Sequence, residues 1–281
     1  MMRRGARAAT RSSSRLARRA YATATATFDV GSAYRPHPRK VTGEDAHFSC
    51  SVGDGTVALG VADGVGGAAD SAWYSAQLMS HADALSQSGL VDPHEILQQS
   101  WVLSRSQHAL DGRSTACVVV LSSDGRDAPV LRAANLGDSG FWVLRPRPAG
   151  RLGIAHKAKP QQHAFNCPFQ LGWLDGHEIN TPADAEVPAP LALQRGDVVV
   201  LATDGLWDAL HALEIVEVVA GGLRRGETAQ QLATGLVDTA YELSLDPLRL
   251  SPVVEAMARE GLVARPREAQ DDVTVVVGKV S

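Results

Sequence analysis

Cysteine is scarce in this sequence: the 281 residues contain only Cys50, Cys117 and Cys167. Three widely spaced cysteines fit neither a disulfide framework nor a C-x-x-C metal site, so we expect buried, reduced thiols. The sequence also lacks an apolar run of about 18 residues, which excludes a membrane-spanning helix. It has no P-loop and no dinucleotide-binding glycine pattern, and this argues against nucleotide binding.

Acidic residues are absent from the first 28 positions, which contain seven arginines and many Ser, Thr and Ala residues. Such a composition is typical of organelle transit peptides. Arg19 precedes Tyr21 in a mitochondrial processing pattern, so we predict a transit peptide over 1–21 and a location in the mitochondrial matrix. A basic arm for nucleic acid or anionic lipid is the alternative. Removing 1–21 takes the net charge from −4 to −4 − 7 = −11, and so acidic a body argues against nucleic-acid binding.

Strand-like segments arrive in hairpin pairs, and helical spacing occurs between those pairs. Residues 22–41 contain Pro36 and Pro38 and few large apolar side chains, so they are predicted as a linker. Residues 42–281 are predicted as one domain. The predicted strands are 45–52, 56–62, 114–122, 130–136, 139–145, 197–203 and 272–280. The predicted helices are 72–88, 93–110, 211–220, 227–243 and 251–260. Paired strands with helices outside them indicate an α+β architecture of layers, with antiparallel sheets.

Three aspartates stand at the ends of apolar runs: Asp63, Asp204 and Asp271. Val198–Leu201 and Val275–Val277 are predicted to be strands that are buried on both faces. A carboxylate at the mouth of such a strand is costly unless something neutralises it, and none of the three segments contains Lys or Arg. Two sheets packed face to face would bring the strand ends together. Oxygen ligands without nearby His or Cys favour Mg²⁺ or Mn²⁺ over Zn²⁺.

Six motifs, in this order, resemble the metal-dependent PPM protein phosphatases, also called type 2C phosphatases. They are G-E-D-A-H-F (43–48), V-A-D-G-V-G-G (61–67), G-R-S-T-A-C (112–117), A-N-L-G-D-S-G-F (134–141), L-A-T-D-G-L-W-D (201–208) and D-D-V-T-V-V-V (271–277). The match runs from Gly43 to Val280. Two further segments, Q-Q-H-A-F-N-C-P-F-Q-L (161–171) and L-S-P-V-V-E-A-M-A (250–258), resemble the mitochondrial branch of that family.

The resemblance implies a four-layer sandwich, in which two central antiparallel sheets are flanked by helix pairs. It also implies a monomer with two Mn²⁺ or Mg²⁺ ions and a metal-activated water that attacks the phosphorus. Asp63 would bridge the two ions, and the Gly64 carbonyl, Asp204 and Asp271 would complete their ligands. Glu44 would act through water.

Other acids receive supporting roles from the same resemblance. Asp45 would stand behind Glu44, and Asp272 would be structural. Asp138 and Asp208 would hold a third, weaker ion. The implied activity is that of a protein serine/threonine phosphatase, and its substrates would be phosphorylated mitochondrial proteins.

The sequence departs from the family pattern at two functional positions. Many members have His two residues after the bridging Asp, as a proton donor to the leaving group, but here that residue is Val65. Many also carry a phosphate-binding Arg four residues before the Glu, and here that residue is Lys40. Lys40 supplies charge but not a bidentate fork. The stretch after Gly67 is also shorter than is usual in the branch.

Two alternatives to a protein phosphatase stay open at this stage. One is a catalytically weak or silent member of the fold that serves as a regulatory or scaffold protein. The other is a small-molecule or nucleotide phosphatase. Retention of all the metal-binding acids favours an active enzyme.

Overall fold

A computed structural model of the chain describes residues 26–66, 70–106, 112–123, 128–174, 177–265 and 267–281. The predicted transit peptide over 1–21, the short stretch after Gly67 and the predicted helix end at 107–110 lie outside these residues. Within the described residues, no helix is both long enough and apolar enough to cross a membrane.

Two five-stranded antiparallel sheets form the centre of the molecule, with strands numbered in chain order. The first sheet contains, from edge to edge, Phe28–Arg35 (β1), Val273–Val280 (β15), Val198–Ala202 (β14), Gly140–Arg147 (β7) and Arg151–Lys157 (β8). The second contains Leu191–Ala192 (β13), Val130–Leu136 (β6), Ala116–Ser122 (β5), Thr56–Ala62 (β3) and Ala46–Gly53 (β2).

In the part of the chain that the structure describes, five short strands build two smaller sheets. One joins His177–Glu178 (β12), Leu171–Leu174 (β11) and Arg113–Ser114 (β4), and the other joins Cys167–Pro168 (β10) to Gln162–Ala164 (β9). Except for β4, these strands lie in a region, 146–190, in which the sequence shows no clear period.

Within the described residues, six helices cover the outer faces of the two large sheets. They are Ser71–Gln87 (α1), Pro93–Ser106 (α2), Asp204–Ala209 (α3), Ala212–Arg225 (α4), Ala229–Ser244 (α5) and Pro252–Arg259 (α6). Helices α1 and α2 pack on the second sheet, and the other four helices belong to the core cluster on the first sheet.

Alternation along the strands explains why the molecule has four layers. In β14, Val198 and Val200 pack against the C-terminal helices, whereas Val199 and Leu201 pack against the second sheet. Successive strand residues point to opposite faces, so a run that is apolar throughout buries both of its faces. The predicted α+β sandwich of two antiparallel sheets flanked by helices is confirmed.

The structure differs from the sequence prediction near the N-terminus. Residues 22–41 were predicted as a linker, but Phe28–Arg35 (β1) pairs with β15 along its full length. Helix α5 packs on β1, and a Cβ on Gly31 would stand 2.2 Å from the Gln230 backbone. The small residues that this close packing requires lack the bulk by which a strand is usually recognised.

The cysteines also differ in part from the expectation of buried thiols. Cys117 is buried between the sheets, Cys50 is half-buried and Cys167 is exposed in β10. All three are free thiols, and burial raises the pKa of Cys50 to about 11.

Candidate active site

Three acids from distant parts of the sequence meet at one edge of the sandwich. Asp63 directly follows β3, Asp204 begins α3 just after β14, and Asp271 precedes β15. They line one cavity of about 290 Å³. The remaining lining residues are Lys40, Glu44, Gly64, Val65, Gly66, Asn166, Pro168. Packing the two sheets face to face therefore brings together the acids that the sequence singled out.

Asp63 is held through its backbone. Its N–H donates to Thr115 Oγ1 at 3.1 Å, and its carbonyl accepts from Ser114 Oγ at 2.8 Å and from the Thr115 N–H at 2.9 Å. Thr115 Oγ1 in turn shares a hydrogen bond of 2.7 Å with Ser139 Oγ. These contacts leave the Asp63 carboxylate at the cavity while the backbone behind it is fixed. The motifs at 112–117 and 134–141 contain these hydroxyl residues, but neither motif indicates that they bond to Asp63 or to each other.

Gly64 is required because the chain passes close to Glu44. The Gly64 N–H donates to the Glu44 carbonyl at 3.1 Å, and a Cβ on Gly64 would lie 2.7 Å from that oxygen. Ser75 Oγ, on α1, also donates to the Glu44 carbonyl at 2.5 Å. Asp63 and Glu44 are thereby locked to the same wall of the cavity.

Asp272 organises the loop that carries Glu44. Its Oδ1 accepts from the His37 N–H at 2.6 Å, and its Oδ2 accepts from the Glu44 N–H at 2.7 Å. Lys40 Nζ lies 3.1 Å from Asp272 Oδ2 and 2.7 Å from Glu44 Oε2. Only 2% of Asp272 is exposed. Asp272 therefore has the contacts of a structural residue, whereas Asp271 accepts one hydrogen bond, from the Asp272 N–H at 2.8 Å.

Asp45 lies behind Glu44 between two threonines. Thr203 Oγ1 and Thr274 Oγ1 both donate to Asp45 Oδ2, at 2.8 and 2.7 Å, and Asp45 Oδ1 has no partner within the described residues. Burial raises the pKa of Asp45 to about 7, although the two threonine hydrogen bonds lower it.

The acids around the cavity repel one another. Burial raises the pKa of Asp63 and of Asp204 well above the ordinary value, and repulsion from neighbouring acids adds to the shift. Hydrogen bonding with the Asp204 carboxyl group partly offsets the rise in the pKa of Asp63. The pKa values of Asp271 and Asp138 are also raised, first by burial. Such a cluster is costly when it is charged, and a bound cation removes that cost.

The donor atoms fit a hard divalent cation. Asp204 Oδ1 is buried and has no partner in the described part of the chain. Carboxylate and carbonyl oxygens are the ligands that Mg²⁺ and Mn²⁺ prefer, and no His or Cys lines the cavity. As they stand, no three acidic, His or Cys side chains of the described residues converge tightly enough to hold one ion. The acids surround an open cavity, and closing a ligand shell would require their side chains to turn inward.

A smaller cavity of about 140 Å³ adjoins the first and shares Asp204 with it. Asp138 and Asp208 line this second cavity. Gln162 Nε2 donates to Asp138 Oδ2 at 2.9 Å, while Asp138 Oδ1 has no partner among the described residues. Burial raises the pKa of Asp208 to about 7, and repulsion from Asp138 adds to it. The two acids predicted to hold a third ion therefore stand together beside the main cavity.

The β9–β10 hairpin forms one rim of the main cavity. Asn166, which has a φ of 52°, and Pro168 line the cavity from this hairpin. His163 stacks on Phe169 with 4.3 Å between ring centroids, and its Nε2 lies 3.1 Å from Asn180 Oδ1. His163 therefore has a structural hydrogen bond. Asn166 and Pro168 were not predicted as site residues.

Comparison with known proteins gives consistent relatives. A family model described as Stage II sporulation protein E matches residues 53–281. The chain is 36% identical over 261 residues to the probable protein phosphatase 2C 80 of Arabidopsis thaliana, covering 89% of this chain and 58% of that protein. It is 34% identical over 279 residues to the protein phosphatase PTC7 homolog of Danio rerio, covering 94% and 91%. The chain spans between 51% and 58% of the length of two such plant relatives.

Solved structures share the fold over nearly the whole chain. The photosystem II phosphatase PBCP aligns with a TM-score of 0.74 and 29% identity, covering 90% of this chain and 99% of that one. The catalytic domain of the serine/threonine phosphatase PstP, solved with 2 manganese ions, aligns with a TM-score of 0.61 and 18% identity, covering 91% and 99%. At the lower identity, the likeness shows the fold alone.

Proposed function

Because the chain belongs to the PPM, or type 2C, family of metal-dependent protein phosphatases, we propose that it hydrolyses phosphoserine and phosphothreonine in mitochondrial proteins at a binuclear Mn²⁺ or Mg²⁺ centre. The observation that carries the proposal is the cavity of about 290 Å³ lined by Glu44, Asp63, Asp204 and Asp271. Four acids around one cavity with a single lysine leave a negative site that a phosphate dianion would avoid unless cations were bound.

The carboxylates of this chain would hold two ions. Asp63 would contact both, and the Gly64 carbonyl, Asp204 and Asp271 would supply further oxygens. Glu44 would act through water. Bound divalent cations neutralise a phosphate and lower the pKa of a water molecule. Enzymes of this family depend on Mn²⁺ or Mg²⁺, and the number of ions here is part of the proposal. Asp138 and Asp208 would hold a weaker third ion.

The reaction is a single displacement at phosphorus. A bond forms from the water oxygen to phosphorus as the water gives up a proton, the bond from phosphorus to the serine or threonine oxygen breaks, and the departing alkoxide takes up a proton. Asp272 and Asp45 fix the loop of Glu44 from behind, so the ligands are positioned before the substrate arrives. Val65 lines the cavity and has no proton to give.

Lys40 is proposed as a phosphate contact, with its charge already shared. Its ammonium group lies within 3.1 Å of carboxylate oxygens on both Glu44 and Asp272. These bonds raise the pKa of Lys40, although burial opposes the shift. Lys40 therefore also serves as a tether between the loop and β15.

The mitochondrial part of the proposal depends on residues 1–21, whose composition is that of a transit peptide. Phosphorylated proteins of the matrix would then be the substrates. Protein isolated from mitochondria should begin at or near Ala22. An intact Met1 terminus in that compartment, or protein confined to the cytosol, would contradict this part.

Departures at Val65 and Lys40 favour a second candidate, a catalytically weak or silent member of the fold that acts as a regulatory or scaffold protein. One assay separates the candidates. The full chain should release phosphate from a phosphoserine peptide in Mn²⁺ or Mg²⁺, lose that activity in EDTA, and regain it when the ion is restored. A silent member would bind the ion without turnover, and a nucleotide phosphatase would prefer a free nucleotide to the peptide.

A further inference from the structure

Phosphate recognition at this site needs a positively charged side chain that is not already paired with carboxylates. Lys40 is the only lysine or arginine that lines the cavity in the described part of the chain, and two carboxylates already hold it. A phosphate group would have to compete with both for the same ammonium group. Another cation near the cavity would therefore contribute more to binding.

Arg113 on β4 does not itself line the cavity, but its backbone is bonded to a residue that does. Gly64 and Ser114 form an antiparallel bridge, and the Val65 N–H donates to the Arg113 carbonyl at 2.9 Å. Val65 itself lines the cavity. The Arg113 backbone is thus one hydrogen bond away from a lining residue, a distance that an extended arginine side chain spans easily.

The strand register sets the face on which Arg113 lies. On β11, Leu171 pairs with Ser114 and Gly172 pairs with Arg113. Leu171 is buried in the core cluster formed with α1 and α2, so its cross-strand partner Ser114 shares that face. Alternation therefore places Arg113 on the opposite face, which is the face of Val65.

The β11 strand leaves room for the arginine stem. Gly172 has a φ of 129°, which other residues rarely adopt, and a Cβ placed on it would stand 3.1 Å from Arg113 Cγ. The methylene groups of Arg113 therefore lie over a glycine. A bulkier residue at Gly172 would force the side chain to move.

The guanidinium group is not engaged. Among the described residues, no carboxylate lies within 4.0 Å of the Arg113 side chain, and no side-chain hydrogen bond is present. Arg113 Nε is buried and has no acceptor. A buried donor without an acceptor costs free energy, and the side chain would recover it by turning its guanidinium group into the cavity toward a ligand oxygen.

We propose that Arg113 binds the phosphate group at the edge of the acid-lined cavity and supplies the bidentate contact that Lys40 does not. A guanidinium fork matches two phosphate oxygens, and charged hydrogen bonds of this kind are stronger than neutral ones. The assignment rests on the proposed function, because it takes a phosphate ester as the substrate and inorganic phosphate as the product.

The test measures binding of inorganic phosphate to the full chain by calorimetry in saturating Mg²⁺. Arg113→Met keeps most of the apolar stem over Gly172 and removes the fork, so we expect phosphate to bind about tenfold to hundredfold more weakly. Arg113→Lys keeps the charge without the fork, so its affinity for phosphate should lie between those of the wild type and Arg113→Met. Arg132→Met, which removes an exposed arginine on β6, is the matched control and should bind like the wild type.

Kinetics distinguish a phosphate contact from a structural role. With p-nitrophenyl phosphate, Arg113→Met should raise KM and the inhibition constant of phosphate together, at unchanged melting temperature. Phosphate affinity within twofold of the wild type for both Arg113 variants would overturn the proposal. If Arg113→Met does not fold, Arg113→Lys decides, since affinity equal to the wild type would exclude a bidentate contact.

The outcomes also separate this proposal from the proposed function. Wild-type turnover that is insensitive to Arg113 would refute the phosphate contact and leave the phosphatase intact. Phosphate binding that depends on Arg113, in a chain that turns over no phosphopeptide, would support the contact and refute the enzyme.

Discussion

Two buried aspartates flank the same strand, β14, and have opposite surroundings. Asp197, just before the strand, is completely buried, and its carboxylate accepts bonds from Arg145 Nε at 2.9 Å, Arg145 Nη2 at 2.6 Å and the Gln194 N–H at 2.8 Å. Asp204, two residues after the strand, faces other acids instead of a cation, and its Oδ1 has no partner within the described residues.

The difference separates a buried carboxylate with a structural role from one with a binding role. A carboxylate paired with a bidentate arginine and a backbone N–H is satisfied by the protein alone, and its role is to fix the chain. A carboxylate that repels its neighbours and keeps an unpaired oxygen is satisfied only by something outside the chain. One end of β14 therefore serves the fold, and the other end serves the proposed chemistry.

The largest expected effect is a loss of activity when an acid is changed at the end of β14 that carries Asp204, or at the cavity that Asp204 lines. Asp63→Asn should reduce phosphopeptide hydrolysis about a thousandfold or more, because it removes a charge shared by two proposed ions worth several kcal/mol. Asp204→Asn and Asp271→Asn should follow with smaller losses. Asp54→Asn is the control, since Asp54 is exposed on the β2–β3 turn at a φ of 46°, a conformation that Asn tolerates. Full activity of Asp63→Asn would contradict the two-ion site.

The next effect is a loss of stability when Asp197, which pairs with Arg145 at the other end of β14, is changed. Asp197→Asn breaks the contact with Arg145, which keeps 21% of its side chain exposed, so we expect a loss of about 3 kcal/mol in the free energy of unfolding measured with urea. In EDTA, Asp204→Asn should leave the free energy of unfolding unchanged or raise it, because the substitution relieves repulsion from the neighbouring acids. Equal losses for the two variants would remove the distinction between the two ends of β14.

Metal should stabilise the protein in a way that depends on pH. Without metal, burial raises the pKa of Asp45 and Asp208 to about 7, so the folded chain keeps protons that the unfolded chain loses near pH 4. The free energy of unfolding in EDTA should therefore fall as pH rises from about 4 to about 7. At neutral pH, Mn²⁺ at about 100 times its Kd should raise the free energy of unfolding by about 2.7 kcal/mol. A melting temperature that Mn²⁺ does not raise would contradict metal binding at the acids.

Much of the fold was predictable because its signals are local. Val198–Ala202 is apolar throughout, which predicts a strand buried on both faces, and Asp204 stands out against that run. Strand β1 was not predicted, because Gly31 is small only to admit the backbone of α5 some 200 residues away in sequence. No local pattern records such a contact.

The candidate site, like the fold, was predictable only where its residues have a local signal in the sequence. The acids are unusual where they stand, so the sequence and its resemblance to a family identified them. Thr115 and Ser139 support Asp63 through hydrogen bonds that exist only in the folded chain. Arg113 lies within the motif at 112–117, but nothing in that motif indicates a role for its side chain, and its proposed role follows from the strand register and from the space over Gly172.

The smallest expected effect concerns the missing proton donor at Val65. A serine alkoxide is a poor leaving group, and general acid help is typically worth about 10²–10⁴-fold. An aryl phosphate leaves as a weaker base and needs less help. We therefore expect an unusually strong preference for aryl phosphates over phosphoserine, unless another group supplies the proton. The second cavity, lined by Asp138 and Asp208, offers a place for a cation whose bound water is more acidic than bulk water.

Asp138→Asn tests that route, because its amide oxygen still accepts the hydrogen bond that Gln162 Nε2 makes at 2.9 Å, while the charge is removed. Phosphopeptide hydrolysis should slow about a hundredfold, the lower end of what a general acid contributes, while hydrolysis of p-nitrophenyl phosphate stays nearly unchanged. If Asp138 only supports the turn after Gly137, both substrates should slow together or neither should. Equal losses would therefore remove the third ion as proton source. Val65→His provides the converse measurement: a selective gain with the phosphopeptide would show that the acid end of β14 lacks only a proton donor.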